Sequence, residues 1–262
     1  MTPEAIWQEI RRETESLTRD EPMLASFYHA SVLNHPSLAD AVSFYLATLL
    51  GNGALFPMQL REIFSQAMHR DPTIEQALCR DLEAYVERDP ACDQLLTPLL
   101  YFKGFQALES YRFAHRLWQE GRQTMALYLQ NRISNLFDVD IHPAARLGSG
   151  IMIDHATGVV IGETAVIGDD VSMLHGVTLG GSGHDKDRHP KVGRGVLISA
   201  GAKLLGNITI GDFARIGAGS LVLDDVGVGQ TAVGVPARIL GQLGEDQPAR
   251  EMDHRIEVKS GE

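Results

Sequence analysis

From Ile141 onward the chain carries an aliphatic residue at every sixth position, and this period restricts the possible folds more than any other feature. The register runs Ile141, Leu147, Ile153, slips by two residues, and continues Ile161, Ile167, Met173, Leu179. After an irregular excursion it resumes at Val192 and holds Ile198, Leu204, Ile210, Ile216, Val222 and Val228. Four residues after most of these stands a second small or β-branched residue: Ala145, Thr157, Ala165, Val171, Val177, Val196, Ala202, Ala214, Ser220, Val226 and Ala232. Two such columns predict a parallel β-solenoid, in which each hexad forms one short flat side and small residues turn the chain between sides. Three sides close a coil of about 18 residues, and the aliphatic columns stack as the core of a triangular prism. A β-sandwich would need alternation of period two between turns, which these letters lack.

Before Val139 the pattern is helical. Apolar residues recur three and four apart in AIWQEIRRETESL and LADAVSFYLATLL. Asp71-Pro72 and Thr97-Pro98 each set a capping side chain before a proline suited to a first helical turn, ahead of TIEQALCRDLEAYV and LLYFKGFQALESYRFAHRLW. The chain therefore reads as a two-domain α+β protein: a helical bundle over residues 1–138, a β-helix over 139–243, and a polar, flexible tail over 244–262.

The 262 residues, 44% hydrophobic and 22% charged, suffice for one large domain or two modest ones. Cys79 and Cys92 are too few for a disulfide framework, and the opening MTPEAIWQEIRRE lacks the apolar core of a signal peptide. No apolar run reaches the roughly 18 residues of a membrane span. A reduced, cytoplasmic protein is expected, without a membrane partner. The formal charge of -11 argues against nucleic acid, although KDRHPK offers a local place for phosphate groups.

A hexad solenoid alone fits an acyltransferase, a zinc-dependent hydratase of the carbonic anhydrase kind, or a non-catalytic spacer. The residues that break the repeat must decide. Asp140 lies in VDIHP, Asp154 and His155 in IMIDHATG, and a polar excursion, GGSGHDKDRHPKVG, runs from Gly180 to Gly193. A polar loop thrust from a regular solenoid is a natural binding site. Each feature also has a plain structural reading: a cap or solvated boundary residue for Asp140, a cap before Pro90 for Asp89, a solvated loop for Arg188. His142, His155, His175, His184 and His189 crowd this half, so a three-histidine zinc site is the rival from another reaction class.

The segments DIHPAARLGSGIMIDHATGVVIGETAVIGDDVS, VTLGGSG, DRHPKVG, GAKLLGNI and GVPAR resemble serine acetyltransferase, which makes O-acetylserine from L-serine and acetyl-CoA on the route to cysteine. RDPACDQLLTPLLYFKGFQALESYR resembles that family's helical domain, so the likeness covers roughly residues 1–245. It implies a left-handed winding of the β-helix, trimers built around the prisms, and commonly a dimer of trimers joined through the helical domains. It also implies acetyl-CoA as co-substrate and no metal. A sugar or antibiotic acetyltransferase shares the solenoid and a histidine base, but the simpler relatives lack the helical half.

The resemblance assigns roles residue by residue. His155 matches the general base that takes the proton of the serine hydroxyl, and Asp140 the carboxylate paired with it. Asp89 and Asp154 match the groups that hold the substrate ammonium, and Arg188 and His189 those for its carboxylate. Gly180, Gly181, Gly201 and Ala202 fall where the pantetheine arm lies along the backbone. Lys203, with Arg238, is a basic residue for CoA phosphates and equally an ordinary exposed base. Both cysteines lie in the helical half and read as packed thiols, so no acyl-enzyme is indicated.

L-cysteine, an isostere of serine, is an expected inhibitor. Many relatives dock a C-terminal isoleucine into O-acetylserine sulfhydrylase. This chain ends RIEVKSGE, without that apolar anchor, so the standard docking is not expected, and Ile256 is an internal alternative.

Overall fold

Each hexad column becomes a sheet. The computed structural model describes residues 1–242 and 247–255. The first face stacks Val139–Ile141, Val159–Ile161, Thr178–Gly180, Lys203–Leu205 and Leu221–Val222, all parallel. The second stacks Arg146–Leu147, Val166–Ile167, Lys191–Val192 and Thr209–Ile210. The third runs Met152–Ile153, Ser172–Met173, Leu197–Ile198, Arg215–Ile216 and Gln230–Gly234, with Ala237–Gln242 added antiparallel. Ile141, Ile161, Leu179, Leu204 and Val222 align in register, and each is 2% exposed or less. Burying one such side chain contributes about 1.5–3 kcal/mol, so the aliphatic ladder is the prism's cohesion.

Leu204 stacks on Val222 after 18 residues, the expected coil. Ile141 reaches Ile161 only after 20, and Leu179 reaches Leu204 after 25. The surplus residues are the slip and the excursion, and both form loops at corners between the strands. The last coil is shorter: Ile216 pairs with Ala232 and Ile210 bridges to Val226. Val226 therefore enters the core at 3% exposure, whereas Val228, expected there from the hexad count, is 60% exposed.

The helical half comprises α1 (Pro3–Asp20), α2 (Ala25–Tyr28), α3 (Leu38–Leu50), α4 (Pro57–Arg70), α5 (Pro72–Arg88), α6 (Leu96–Tyr101), α7 (Lys103–Gln119) and α8 (Gln123–Phe137). Asp71 caps α5 as expected, accepting from Thr73 N at 3.1 Å. Thr97 does not cap a helix. It lies inside the first turn of α6, whose amides at Leu95 and Leu96 are capped by Glu13 of α1 at 3.1 and 2.8 Å. The long helix expected after Pro98 is broken at Phe102, which lies in the β region between α6 and α7.

The first coil has one edge without a strand neighbour, and the helices cover it. Such an edge exposes unpaired N–H and C=O groups. Asp81 Oδ1 accepts from Ile151 N at 2.8 Å, Arg88 donates to Gly150 O at 2.9 Å, Arg112 to Gly148 O at 2.9 Å, and Tyr111 to Ala145 O. Arg112 is itself buried against Asp81 and Glu109. Both Glu109 oxygens lack a hydrogen-bond partner among the described residues, and burial pushes this carboxyl well above the usual range.

The described part of the tail is packed, contrary to the expectation of a flexible segment. Pro248 and Ala249 are buried, Ala249 O accepts from Ser172 Oγ at 2.7 Å, and His254 Nδ1 meets Ser199 Oγ at 2.9 Å. Pro248–Glu251 packs against α5, where Arg250 pairs with Glu87 at 3.4 Å. Residues 243–246 and 256–262, including Ile256 and the terminal Glu262, lie outside the described residues.

Candidate active site

His155 occupies the corner between the third and first faces. The eight-residue step from Ile153 to Ile161 is absorbed there by left-handed backbone at His155 (φ 54°), Ala156 (φ 60°) and Gly158 (φ 72°). Left-handed non-glycine residues cost of order 1–3 kcal/mol each and persist where surroundings fix them. The surroundings here come from the helices. Tyr85 OH donates to Ile153 O at 3.0 Å and accepts from Ile153 N at 3.1 Å. Lys103 Nζ donates to Thr157 Oγ1 at 2.6 Å, and Gly104 presses its Cα face on Ile153 O and Ala156, where a Cβ would lie 2.0 Å from that oxygen. The result is an imidazole held up to solvent, its side chain 74% exposed.

Asp154 is the carboxylate beside that imidazole, with Oδ2 3.7 Å from His155 Nε2. Asp89 caps the end of α5, one helical turn beyond Tyr85, and its Oδ1 accepts from Ala91 N at 2.9 Å. The structure thus sets Asp154 beside His155 at one corner, with Asp89 at the end of the helix whose Tyr85 reaches Ile153. It does not join Asp140 to His155 within the chain. Asp140 lies in the middle of the first face, where its Oδ1 accepts from Gln130 Nε2 of α8 at 2.7 Å. Below His155, one coil down, stands His175, its ring centroid 5.9 Å away.

Arg188 and His189 fold back to the corner between the first and second faces. Arg188 Nη2 pairs with Glu163 Oε2 at 3.1 Å. His189 packs against Gly162 and bonds Thr164 through Nδ1 at 2.8 Å. Burial, then the cations of Arg188 and Lys191, lower its pKa, so the ring is neutral near pH 7. His142 shares this corner, over the edge of Trp118 at 5.1 Å, and burial lowers its pKa too. The two corners flank the same strand, Val159–Ile161. At about 3.3 Å per residue they are on the order of 10 Å apart.

From His155 a column of left-handed glycines runs down the corner: Gly158, Gly176, Gly201 and Gly219, with φ of 67–72°. Their positive φ, not a lack of space, favours glycine here: a Cβ on Gly176 would lie 3.4 Å from the Cα of Gly201, an ordinary contact. The column leaves a shallow strip of bare backbone beside the base. Ala202, by contrast, is buried in the core. Lys203 Nζ is tied to Gly176 O at 2.5 Å and Thr178 Oγ1 at 3.0 Å, and Arg238 is exposed on the closing hairpin. Gly180 lies at the end of its strand under Leu205, and Gly181 is exposed at the start of the excursion beside Arg188.

Elsewhere, a cavity of about 430 Å³ opens between α5, α7 and the first coil, lined by Arg80, Arg112, Arg116, His115 and others. It holds none of the expected site residues, and its arginines pair with Asp170, Asp81 and Glu120. Burial pushes the Cys79 thiol up to about 12 and the Cys92 thiol to about 11, which leaves no thiolate nucleophile. Among the described residues no three His, Cys, Asp or Glu side chains converge as a metal site, and no helix is long and apolar enough to cross a membrane.

Sequence reasoning passed over Tyr85, Lys103, Gly104, Gln130, Glu163 and Thr164, which touch the proposed site residues or their turn, and weighed His175 only as a metal ligand. Gly104 left a trace, a lone glycine inside the helical pattern YFKGFQAL. Tyr85 left none, because its partner is a backbone 68 residues away.

Residues 6–110 match the family model "Serine acetyltransferase, N-terminal", and residues 189–224 match "Bacterial transferase hexapeptide (six repeats)". The serine acetyltransferase of Salmonella typhimurium is 53% identical over 97% of this chain and 93% of its own. A solved serine acetyltransferase in complex with cysteine superimposes with a TM-score of 0.96 at 52% identity, covering 97% of this chain and 100% of that one. The Neisseria gonorrhoeae serine acetyltransferase in complex with serine gives 0.87 at 55% identity, covering 89% and 96%. The Brucella abortus serine acetyltransferase in complex with coenzyme A gives 0.89 at 50% identity, covering 92% and 96%. With a helical half, a hexapeptide solenoid and full-length relatives all in agreement, this chain belongs to the serine acetyltransferase family of acyltransferases.

Proposed function

We propose that the chain transfers acetyl from acetyl-CoA to the hydroxyl of L-serine, giving O-acetyl-L-serine and CoA for cysteine synthesis in the cytoplasm, by direct attack with His155 as general base. The observation that carries this reading is the exposed imidazole on its strained turn, with Asp154 3.7 Å away and the bare glycine strip beneath it. A serine hydroxyl is a weak nucleophile until its proton is taken. His155 accepts that proton as the oxygen attacks the thioester carbonyl. The tetrahedral intermediate collapses with loss of the C–S bond, and the imidazolium returns the proton to the CoA thiolate. Asp154 stabilises the imidazolium as it forms and, with Asp89, attracts the substrate ammonium. Asp140 takes part only by releasing Gln130. The pantetheine arm follows the strip past Gly176 and Gly201, near Gly180 and Gly181.

Arg188 and His189 hold the substrate carboxylate, and this has a consequence for assembly. A zwitterion whose two charges share one carbon cannot reach corners about 10 Å apart along a strand. One corner must therefore meet the other corner of a neighbouring copy, which favours a closed ring of prisms, a trimer, alone or doubled. L-cysteine carries the same ammonium and carboxylate and competes for this site. The test is CoA release with L-serine and other alcohols, for the parent and His155→Ala, with zinc or chelator added. Serine-dependent turnover that drops at least about a hundredfold in the variant and ignores chelator is the expected result. Turnover only with another acceptor, or only with zinc, overturns it.

A further inference from the structure

We propose that Thr164 is a positioning residue that locks His189 as its Nε2–H tautomer, aimed at the carboxylate of the amino-acid substrate. This rests on His189 being a substrate contact, as argued above. The Thr164 backbone N–H donates to His189 Nδ1 at 3.2 Å. An amide has only a proton to offer, so Nδ1 presents its lone pair and the ring proton sits on Nε2. The Thr164 hydroxyl fits this count. Its oxygen accepts from the backbone N–H of Arg188 at 3.1 Å and of His189 at 3.2 Å, which uses both lone pairs. Its own hydrogen can then face Nδ1, 2.8 Å away, or the Asp187 carboxylate, so the amide contact is what fixes the tautomer. With the proton on Nε2 the single Nδ1 lone pair is shared by the Thr164 amide and hydroxyl, whereas a proton on Nδ1 sets two donors, amide and ring, against each other.

The opposite nitrogen is kept clear. A Cβ on Gly162 would lie 2.0 Å from Nε2, and one on Gly181 3.1 Å. Glycine at both positions makes room for the ring, which is only 6% exposed, and Nε2 has no hydrogen-bond partner among the described residues. The neighbouring Glu163 meanwhile holds Arg188 at 3.1 Å, and Lys191 Nζ ties Thr164 O, His189 O and Asp187 together at 2.9, 2.8 and 2.6 Å. One two-residue step, Glu163-Thr164, therefore orients both the guanidinium and the imidazole. A neutral ring with its proton on Nε2 attracts a carboxylate, whereas a lone pair at that position repels it.

Two readouts test this. In the oligomer with ¹⁵N-labelled histidine, long-range ¹H–¹⁵N correlation at neutral pH should find His189 protonated at Nε2 and bare at Nδ1, its signals assigned by their loss in His189→Asn. In Thr164→Val the Arg188 and His189 amides lose their acceptor. KM for L-serine should rise about tenfold or more while kcat moves less, the split of a lost binding interaction, with KM for acetyl-CoA unchanged and Thr164→Ser restoring the parent value. A proton on Nδ1 in the parent, or a parental serine KM in Thr164→Val, overturns the proposal. A parent chain inactive with serine instead sinks the proposed function, and the tautomer then still decides whether Thr164 sets the ring.

Discussion

Tyr85 and Ile153 exchange two hydrogen bonds through one hydroxyl, which donates to the carbonyl at 3.0 Å and accepts from the amide at 3.1 Å. Ile153 lies on the uncapped edge of the first coil, so the phenol does what a preceding strand would do. Tyr85 is 1% exposed. Tyr85→Phe leaves a buried amide and carbonyl without partners, at about 1–3 kcal/mol. Urea denaturation should register that loss, and serine acetylation should fall as well, because the turn carrying His155 begins two residues later. A variant as stable as the parent would mean that water replaces the hydroxyl.

Gly104 shows the same dependence through sterics. A Cβ there meets Ile153 O at 2.0 Å, at the end of the strand leading into the strained turn, and Ala156 Cβ at 3.1 Å, within it. Gly104→Ala should favour the free helix by roughly 1 kcal/mol, yet destabilise the protein, since the backbone must retreat. Circular dichroism should report retained helix and a lowered Tm, with CoA release reduced more than tenfold. An unaffected rate would show that the turn tolerates displacement of α7.

The solenoid was legible because its period is local: each aliphatic residue states its own place, and the breaks at 153–161 and 179–192 stand out as departures. The helical half was legible as helices and opaque as a cap. Nothing in TIEQALCRDLEAYV distinguishes Asp81 and Tyr85, which reach strand edges, from residues packed between helices. The count failed at Val228 because the final coil has no successor to enforce the hexad. The pairing of Asp140 with His155 came from the family resemblance, and neither residue's own letters show that Asp140 also accepts from Gln130 of α8.

Glu109 makes stability depend on pH. Burial, opposed by Arg112 and reinforced by Asp81, raises its pKa well above that of a free glutamate. Between those two values the folded chain keeps a proton that the unfolded chain has released. By linkage this contribution is full below the unfolded pKa, near 4.3, and is lost as pH rises toward the folded one. Glu109→Gln keeps the shape and removes the titration. The variant should be more stable than the parent at pH 8, and the difference should shrink toward pH 5, as read from urea midpoints. Equal midpoints at both values would mean that Arg112 keeps Glu109 ionised beside Asp81.

If each site joins the His155 corner of one copy to the Arg188 corner of another, inactive chains can repair one another. His155→Ala destroys the first corner and spares the second. Arg188→Ala does the reverse. Each variant alone should be nearly inert with L-serine. After co-expression, or unfolding and refolding together in equal amounts, random assortment around a closed ring gives about one site in four both intact corners. Activity should return toward that fraction, with a KM for serine like the parent's, because the rebuilt sites are whole. Mixing without refolding should restore nothing unless copies exchange. Failure after refolding, in particles of parental size, would place both corners' work within one chain. The strand Val159–Ile161 would then have to bend or shift to bring Arg188 to His155.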